Sequence, residues 1–368
     1  MIDPVALLRE LVAVDSTSAR SNLPMLDALE PRVRALGFTA RRQIWTDANG
    51  VAKGNLIAQR GGEEGGLALV GHTDCVPFDP AWEGALRPAL EEGRLYGRGA
   101  ADNKAFIAAM LAAASRTKAA PLQLVFTADE EVGCLGARKL VEEGALRPRH
   151  AVVGEPTRMI PILGHKGYCL AQVSLTGAEG HSAYPETGAS AILAAGQLLR
   201  EIEKIGDELR TAADPDFAPP HATLNVGLIS GGKAKNVIPG SCEMTVEWRP
   251  LPSQDPRQVL RLLEGAARSL SLDRIRISVA VQRLDAGVAV PREAEIVQLL
   301  RAQSGNEPST IPFGSELPYL VQLGAGACVF GPGDIRTAHR TGEFVPVAEL
   351  LRASEILAAA IERFARPG

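Results

Sequence analysis

The chain has 368 residues, of which 46% are hydrophobic and 22% charged, with a formal net charge of −4. That length predicts two domains, each with enough apolar residues for a core. The absence of a basic surplus argues against nucleic acid or an anionic membrane as partner, and no apolar run approaches the roughly 18 residues of a membrane span.

The first segment, MIDPVALLRELVAVDS, reads as an amphipathic helix over 3–13, capped by Asp3 with Pro4 in its first turn. It lacks the basic start and long apolar core of a secretion signal. Helices are then predicted over 24–37, 103–116 and 134–144, and strands near 39–46, 54–59, 67–71, 122–127 and 151–154. This alternation predicts an α/β catalytic domain with a mostly parallel central sheet, whose first part occupies 1–167.

After the segment GHKG at 164–167 the texture changes. CLAQVSLTG alternates as a strand, ASAILAAGQLLREIEKI is a long amphipathic helix, and ATLNVGLISGG and CEMTVEWRP are strands. DPRQVLRLLEGAARSL and IRISVAVQRLD supply a second helix and a last strand. The order strand, helix, two strands, helix, strand is that of a ferredoxin-like α+β unit, here over 168–288. A Pro-rich loop, ADPDFAPP, lies within it. The α/β pattern resumes over 289–368, so the smaller unit reads as an insert with Gly-containing crossings, GHKG and LDAGVAVP, as hinges.

The chemistry concentrates where strands end. His72 and Asp74 close the strand in LALVGHTDCVP, and residues two apart in an extended chain point to the same side. Asp102 precedes the helix AFIAAMLAAAS, Glu130 and Glu131 follow LQLVFT, Glu155 follows AVVG, and His339 follows ACVF. Open α/β sheets bind ligands beyond the carboxyl ends of their strands.

Imidazoles and carboxylates without thiolates suit a catalytic, zinc-type site. Two histidines and three carboxylates exceed the usual three protein ligands of one catalytic zinc, so two ions with a shared bridge are expected. The expected partition gives one ion His72 and Glu155, the other Glu131 and His339, with Asp102 bridging. Zinc is the expected metal, with cobalt or manganese able to use the same donors. Adjacent side chains on non-helical backbone diverge, so Glu130 is expected to serve as general base for the hydrolytic water while Glu131 binds metal. Asp74 is expected to accept the free ring N–H of His72 and fix its tautomer.

The motifs GHTDCVPF, GRGAADNK, DEEVG, GEPT, GHSAYPETGASAI, TLNVGLISGGKAKNVIP and GPGDIRTAH, in this order, resemble the M20 family of metallopeptidases over essentially the whole chain. The resemblance implies two zinc ions, amide hydrolysis and a cis peptide after Asp102. It also implies a homodimer through the inserted lid, in which His181 of EGHSAYP reaches the partner's site as an oxyanion donor. Tyr184, Asn236 and Arg249 resemble substrate-contacting lid positions, Arg249 being shaped for a carboxylate, and Gly314 and Ser315 are expected at the pocket rim.

GHTDCVPFDPAW, TADEE, GEPTRMIPILGHKG, WRPLPS and GPGDIRTAH look more like the acetylornithine deacetylase branch than like the desuccinylases or dipeptidases. That branch implies deacylation of an N-acyl amino acid, N-acetylornithine first, as a step of arginine biosynthesis. The chain departs from the family at Asn103 and Ala105, on either side of Lys104, and at Gly342 before Glu343. The five cysteines, at 75, 134, 169, 242 and 328, include no CxxC pair, which predicts reduced thiols and a cytoplasmic protein. Cys75 is expected to be no nucleophile, since the carboxylate beside it raises its pKa. His165 and Lys166 are expected as hinge or lid anchors, and His150 and His221 as solvated loop residues.

Overall fold

A computed structural model of the chain describes residues 1–62, 64–270 and 272–366. The chain divides into two compact units: Met1–Leu163, Val290–Ser309 and Ser315–Gly368 form one, and Gly164–Ala289 with Thr310–Gly314 the other.

The larger unit opens with α1 (Pro4–Val12) and α2 (Leu23–Ala35). The Asp3 side chain accepts from the Val5 amide, and Pro4 sits in the first turn, where its missing N–H costs nothing. Next come β1 (Thr39–Thr46), β2 (Ala52–Arg60), β3 (Leu67–His72), the short β4 (Ala89–Glu91) and β5 (Arg94–Tyr96), then α3 (Lys104–Ala114). Then follow β6 (Leu122–Thr127), α4 (Leu135–Glu142), β7 (His150–Val153) and β8 (Ile162–His165).

In the smaller unit β9 (Tyr168–Thr176), β10 (Gly180–His181), α5 (Ala191–Leu209), β11 (Thr223–Gly231) and β12 (Val237–Ile238) come first. They are followed by β13 (Ser241–Arg249), α6 (Gln258–Ser269), β14 (Arg276–Asp285) and β15 (Val288–Ala289). The chain closes with α7 (Glu295–Ser304), β16 (Ser309–Ile311), α8 (Leu317–Gln322), β17 (Gly326–Val329), β18 (Phe344–Pro346) and α9 (Val347–Phe364).

The main sheet runs β1-β2-β6-β3-β7-β17-β8. Its centre, β6-β3-β7-β17, is parallel, whereas β1, β2 and β8 join antiparallel. The sheet is therefore mixed, with parallel pairing confined to its middle. Every residue of β3 and β6 is buried, as befits strands covered on both faces, whereas β1 at the edge alternates. Every residue of α3 is buried as well, and its small Ala side chains permit that. Gly154, just past β7, is needed there because a Cβ would lie 2.2 Å from the Phe106 ring of α3. A separate three-stranded sheet, β18-β5-β4, was not legible in the sequence.

In the smaller unit the antiparallel sheet runs β11-β13-β9-β14, which is the ferredoxin-like order, with α5 and α6 packed into its core. Edge strand β11 leaves Leu228 70% and Ile229 51% exposed, and α5 leaves Leu193 72% exposed. Lys166 donates to the carbonyls of Pro219 and His221 and so anchors the Pro-rich loop.

His150 corrects the expectation of a solvated loop. It begins β7, is 8% exposed, and packs its ring 4.3 Å from that of Phe364. Among the described residues no helix is long and apolar enough to cross a membrane. All five cysteines are free and buried.

Candidate metal centre

The ends of the central strands deliver the polar groups. His72 is the last residue of β3, Glu130 and Glu131 follow β6, Glu155 follows β7, and the loop after β17 carries His339. Asp102 lies just before α3, and its peptide bond to Asn103 is cis. Ligand atoms of His72, Glu130 and Glu155 lie within 4.8 Å of one another, and so do those of Asp102, Glu131 and His339.

Asp102 joins the two groups. One carboxylate oxygen stands 3.0 Å from Nε2 of His72, the other 3.2 Å from Nε2 of His339. Nε2 of His339 also lies 3.1 Å from Glu131. A carboxylate presenting one oxygen to each half of a site is in the posture of a bridging ligand.

Asp74 does more than its sequence position suggests. Nδ1 of His72 is 3.1 Å from the carbonyl oxygen of Asp74 and 3.5 Å from its carboxylate. The carboxylate accepts the Glu130 amide at 3.1 Å, the Glu131 amide at 3.3 Å and the Ser18 hydroxyl at 2.9 Å. Asp74 thus holds the turn that aims both glutamates. Lys53, in a buried pair with Asp129 at 2.7 Å, and Asn55, which accepts the Ala128 amide, brace the same turn. The Cys134 thiol donates to the Glu130 carboxylate.

The electrostatics show what the cluster lacks. Burial, reinforced by Glu131, Glu316 and Asp102, pushes the Glu130 carboxyl up to about 8. Burial and the Asp102 charge raise Glu131, and the same two causes raise Glu155 well above the usual carboxylate range. Hydrogen bonds to Asp102 and Glu131 push His339 up to about 10. Burial pushes Asp102 up as well, but bonds from His339 and His72 outweigh it and hold the group low. Four carboxylates crowded in low dielectric call for added positive charge, and two nitrogen and four oxygen donors suit divalent cations.

This arrangement has a consequence for the metal-free protein. An acid whose pKa rises on folding binds more protons in the native state, so stability falls as pH climbs between the unfolded and folded values. For Glu130 that window runs from 4.5 to about 8, and for His339, also raised, it runs from 6.5 to about 10 with the same sign. From Glu130 the chelator-treated protein is expected to lose on the order of a few kcal/mol between pH 5 and pH 8, while solvent screening shrinks what the half-exposed His339 adds. Urea melts with and without added metal check this, since the loaded protein should show no such decline.

Within the smaller unit the residues implied as substrate contacts do not form one cluster. In the smaller unit β10 pairs with β12, His181 opposite Val237, which brings Asn236 beside the His181 turn, and Tyr184 stacks edge-on to His181 at 5.8 Å. The Ala183 amide donates to Nδ1 of His181, which leaves the proton on Nε2 of an exposed ring. Arg249 lies elsewhere. It ends β13 at the Tyr168 end of the sheet, whereas the His181 turn follows the Thr176 end, roughly 27 Å away by strand rise. Its guanidinium bonds Glu247 and the Pro312 carbonyl and lies 4.7 Å over the Tyr168 ring. Ser315 is buried and accepts the Leu317 amide at the start of α8, and a Cβ on Gly314 would meet nothing within 4 Å.

Glu316 was missed by sequence reasoning. Burial pushes this carboxyl up to about 7, against the opposing pull of the His72 ring. Nothing in the spacing of FGSELP distinguishes it from a helix-start acid.

The pattern of peptidase family M20/M25/M40 matches residues 68–363. An acetylornithine deacetylase of Myxococcus xanthus is 53% identical over 367 residues, covering 98% of this chain and 97% of that protein. Another, from Proteus mirabilis (strain HI4320), is 34% identical and covers 98% and 96%. Among solved structures, a tripeptidase from Staphylococcus aureus superposes with a TM-score of 0.82 at 22% identity, over 98% of this chain and 99% of that one. A dinuclear metal binding peptidase of Bacillus subtilis gives 0.70 at 15%, over 97% and 96%. With the strand-end cluster of histidines and carboxylates lying inside the matched span, the chain belongs to peptidase family M20/M25/M40.

Proposed function

We propose that this chain hydrolyses the amide of an N-acyl amino acid, with N-acetylornithine as substrate and ornithine and acetate as products. The observation that carries the reaction type is the division of the Asp102 carboxylate between His72 and His339. The 53% identity to an acetylornithine deacetylase favours that substrate over N-acetylcitrulline, a succinyl-diaminopimelate or a peptide.

His72 and Glu155 would hold one divalent cation, Glu131 and His339 the other, and Asp102 both, with zinc first among the candidates and cobalt or manganese able to use the same donors. When bound, such ions polarise the acyl carbonyl and acidify water. Glu130, turned into the site by the Asp74 bonds to its backbone and to that of Glu131, takes a proton from the attacking water. The water oxygen bonds to the acyl carbon, the C–N bond breaks, and Glu130 returns the proton to the leaving amine. His181 would donate from Nε2 to the developing oxyanion, and Arg249, oriented by Glu247, would pair with the α-carboxylate.

The opposite-end placement of His181 and Arg249 fits a homodimer in which each lid serves two sites. The exposed Leu228, Ile229 and Leu193, beside an open strand edge, suit a second copy as the covering partner. With reduced thiols, a cytoplasmic enzyme of arginine biosynthesis is the consistent setting.

The test is a panel of acylated amino acids and dipeptides with purified, zinc-loaded protein, alongside sedimentation velocity. N-acetylornithine should give the highest kcat/KM, and the protein should sediment as a dimer. A dipeptide turned over equally well rejects the substrate assignment.

A further inference from the structure

We propose that Glu343, held by Arg98, is a positioning residue that presents Asp102 to both cations at once. One Glu343 oxygen accepts the backbone amides of Ala101 at 3.0 Å and Asp102 at 3.1 Å. The other accepts Nη1 of Arg98 at 2.6 Å, and Arg98 also lies over the Trp82 ring and donates to the Pro77 carbonyl. Both side chains are buried, Glu343 at 1% and Arg98 at 2% exposure.

The residues are far apart in sequence, and the small sheet brings them together. Phe344 of β18 pairs with Tyr96 of β5, and the Gly97 amide donates to the Glu343 carbonyl, so Glu343 is set against the segment leading to Asp102. Gly342 turns the chain inward with φ +81. That is the left-handed region, which Asn and Asp enter most readily after Gly, so the departure from the family at this position preserves the backbone.

Glu343 also follows His339 by four residues. One short segment therefore carries a candidate ligand of the second group and the clamp on the carboxylate shared by both. A carboxylate able to bridge must keep each oxygen in place, and a pair of amides fixed to one acceptor removes the freedom of the backbone that carries it.

The inference rests on the two-cation reading, and calorimetric titration of the apoprotein with ZnCl2 separates the two. Two binding events in the wild type uphold that reading whatever the variants do. Arg98→Met with Glu343→Gln keeps an oxygen for both amides and no buried charge; it is expected to bind both ions within about threefold of wild type. Arg98→Met with Glu343→Met removes the acceptor and is expected to weaken both events roughly 10–100-fold. His339→Ala, by contrast, should weaken only one.

Glu343→Asp keeps the charge beside Arg98 and withdraws the acceptor by one methylene, so it should weaken both events without a folding defect and lower kcat more than it changes KM. Unchanged zinc affinity in either Glu343→Asp or the Met pair, or weakening of one event alone, overturns the proposal.

Discussion

Glu130→Gln is expected to lower kcat by about 10²–10⁴-fold, the range that loss of a general base commands, while two equivalents of metal stay bound. Gln keeps the volume and one oxygen of the side chain, and the backbone bonds from Asp74 do not depend on its charge. What disappears is a group able to accept a proton. The geometry makes this a sharp experiment, because Glu130 lies within reach of the His72 and Glu155 ligand atoms and could act as a ligand itself. Metal analysis of the variant tells the roles apart: loss of one equivalent would make Glu130 a ligand, and a wild-type rate would end its assignment as base. KM should change little if the residue acts on water and not on substrate.

Asp102→Ala is expected to remove activity and to weaken both cations together, by more than the roughly 10–100-fold that loss of an outer partner costs. A residue serving one ion would leave the other in place. Asp102 stands 3.0 Å from His72 and 3.2 Å from His339, so its removal strips a donor from each group. Titration of the variant with zinc, followed by activity at saturating metal, checks the expectation. A variant that still binds one ion with wild-type affinity would confine Asp102 to the other.

These expectations show how unevenly the site could be read before folding was known. His72, Glu130, Glu131, Glu155 and His339 each follow a short apolar run, and periodicity places such residues at strand ends. Asp74 was legible as the neighbour of His72, two residues along an extended chain. Its bonds to the Glu130 and Glu131 amides were not, since they join the ends of β3 and β6, 56 and 57 residues apart. Glu316 carried no local signal and Glu343 was legible only as the residue after Gly342; their burial is a product of the fold. His150 looked solvated because its Pro-flanked segment reads as a loop, but its place on a central strand outweighs its neighbours.

Element type and order followed from local pattern: continuous apolar runs for the buried strands, alternation for β9, and a 3.6-residue period for α5 and α9. The ferredoxin-like order of the insert belongs to this class, because hydrophobic period is a property of consecutive residues. Which strands pair, in which direction, and which side chains then meet depend on contacts between distant segments, whose energy no local window contains. The antiparallel flanks of the main sheet, the β18-β5-β4 sheet, the two oxygens of Asp102 turned to two histidines and the separation of Arg249 from His181 were decided at that level. Close packing and the cost of burying unpaired charge select one arrangement among the many that the same local patterns permit.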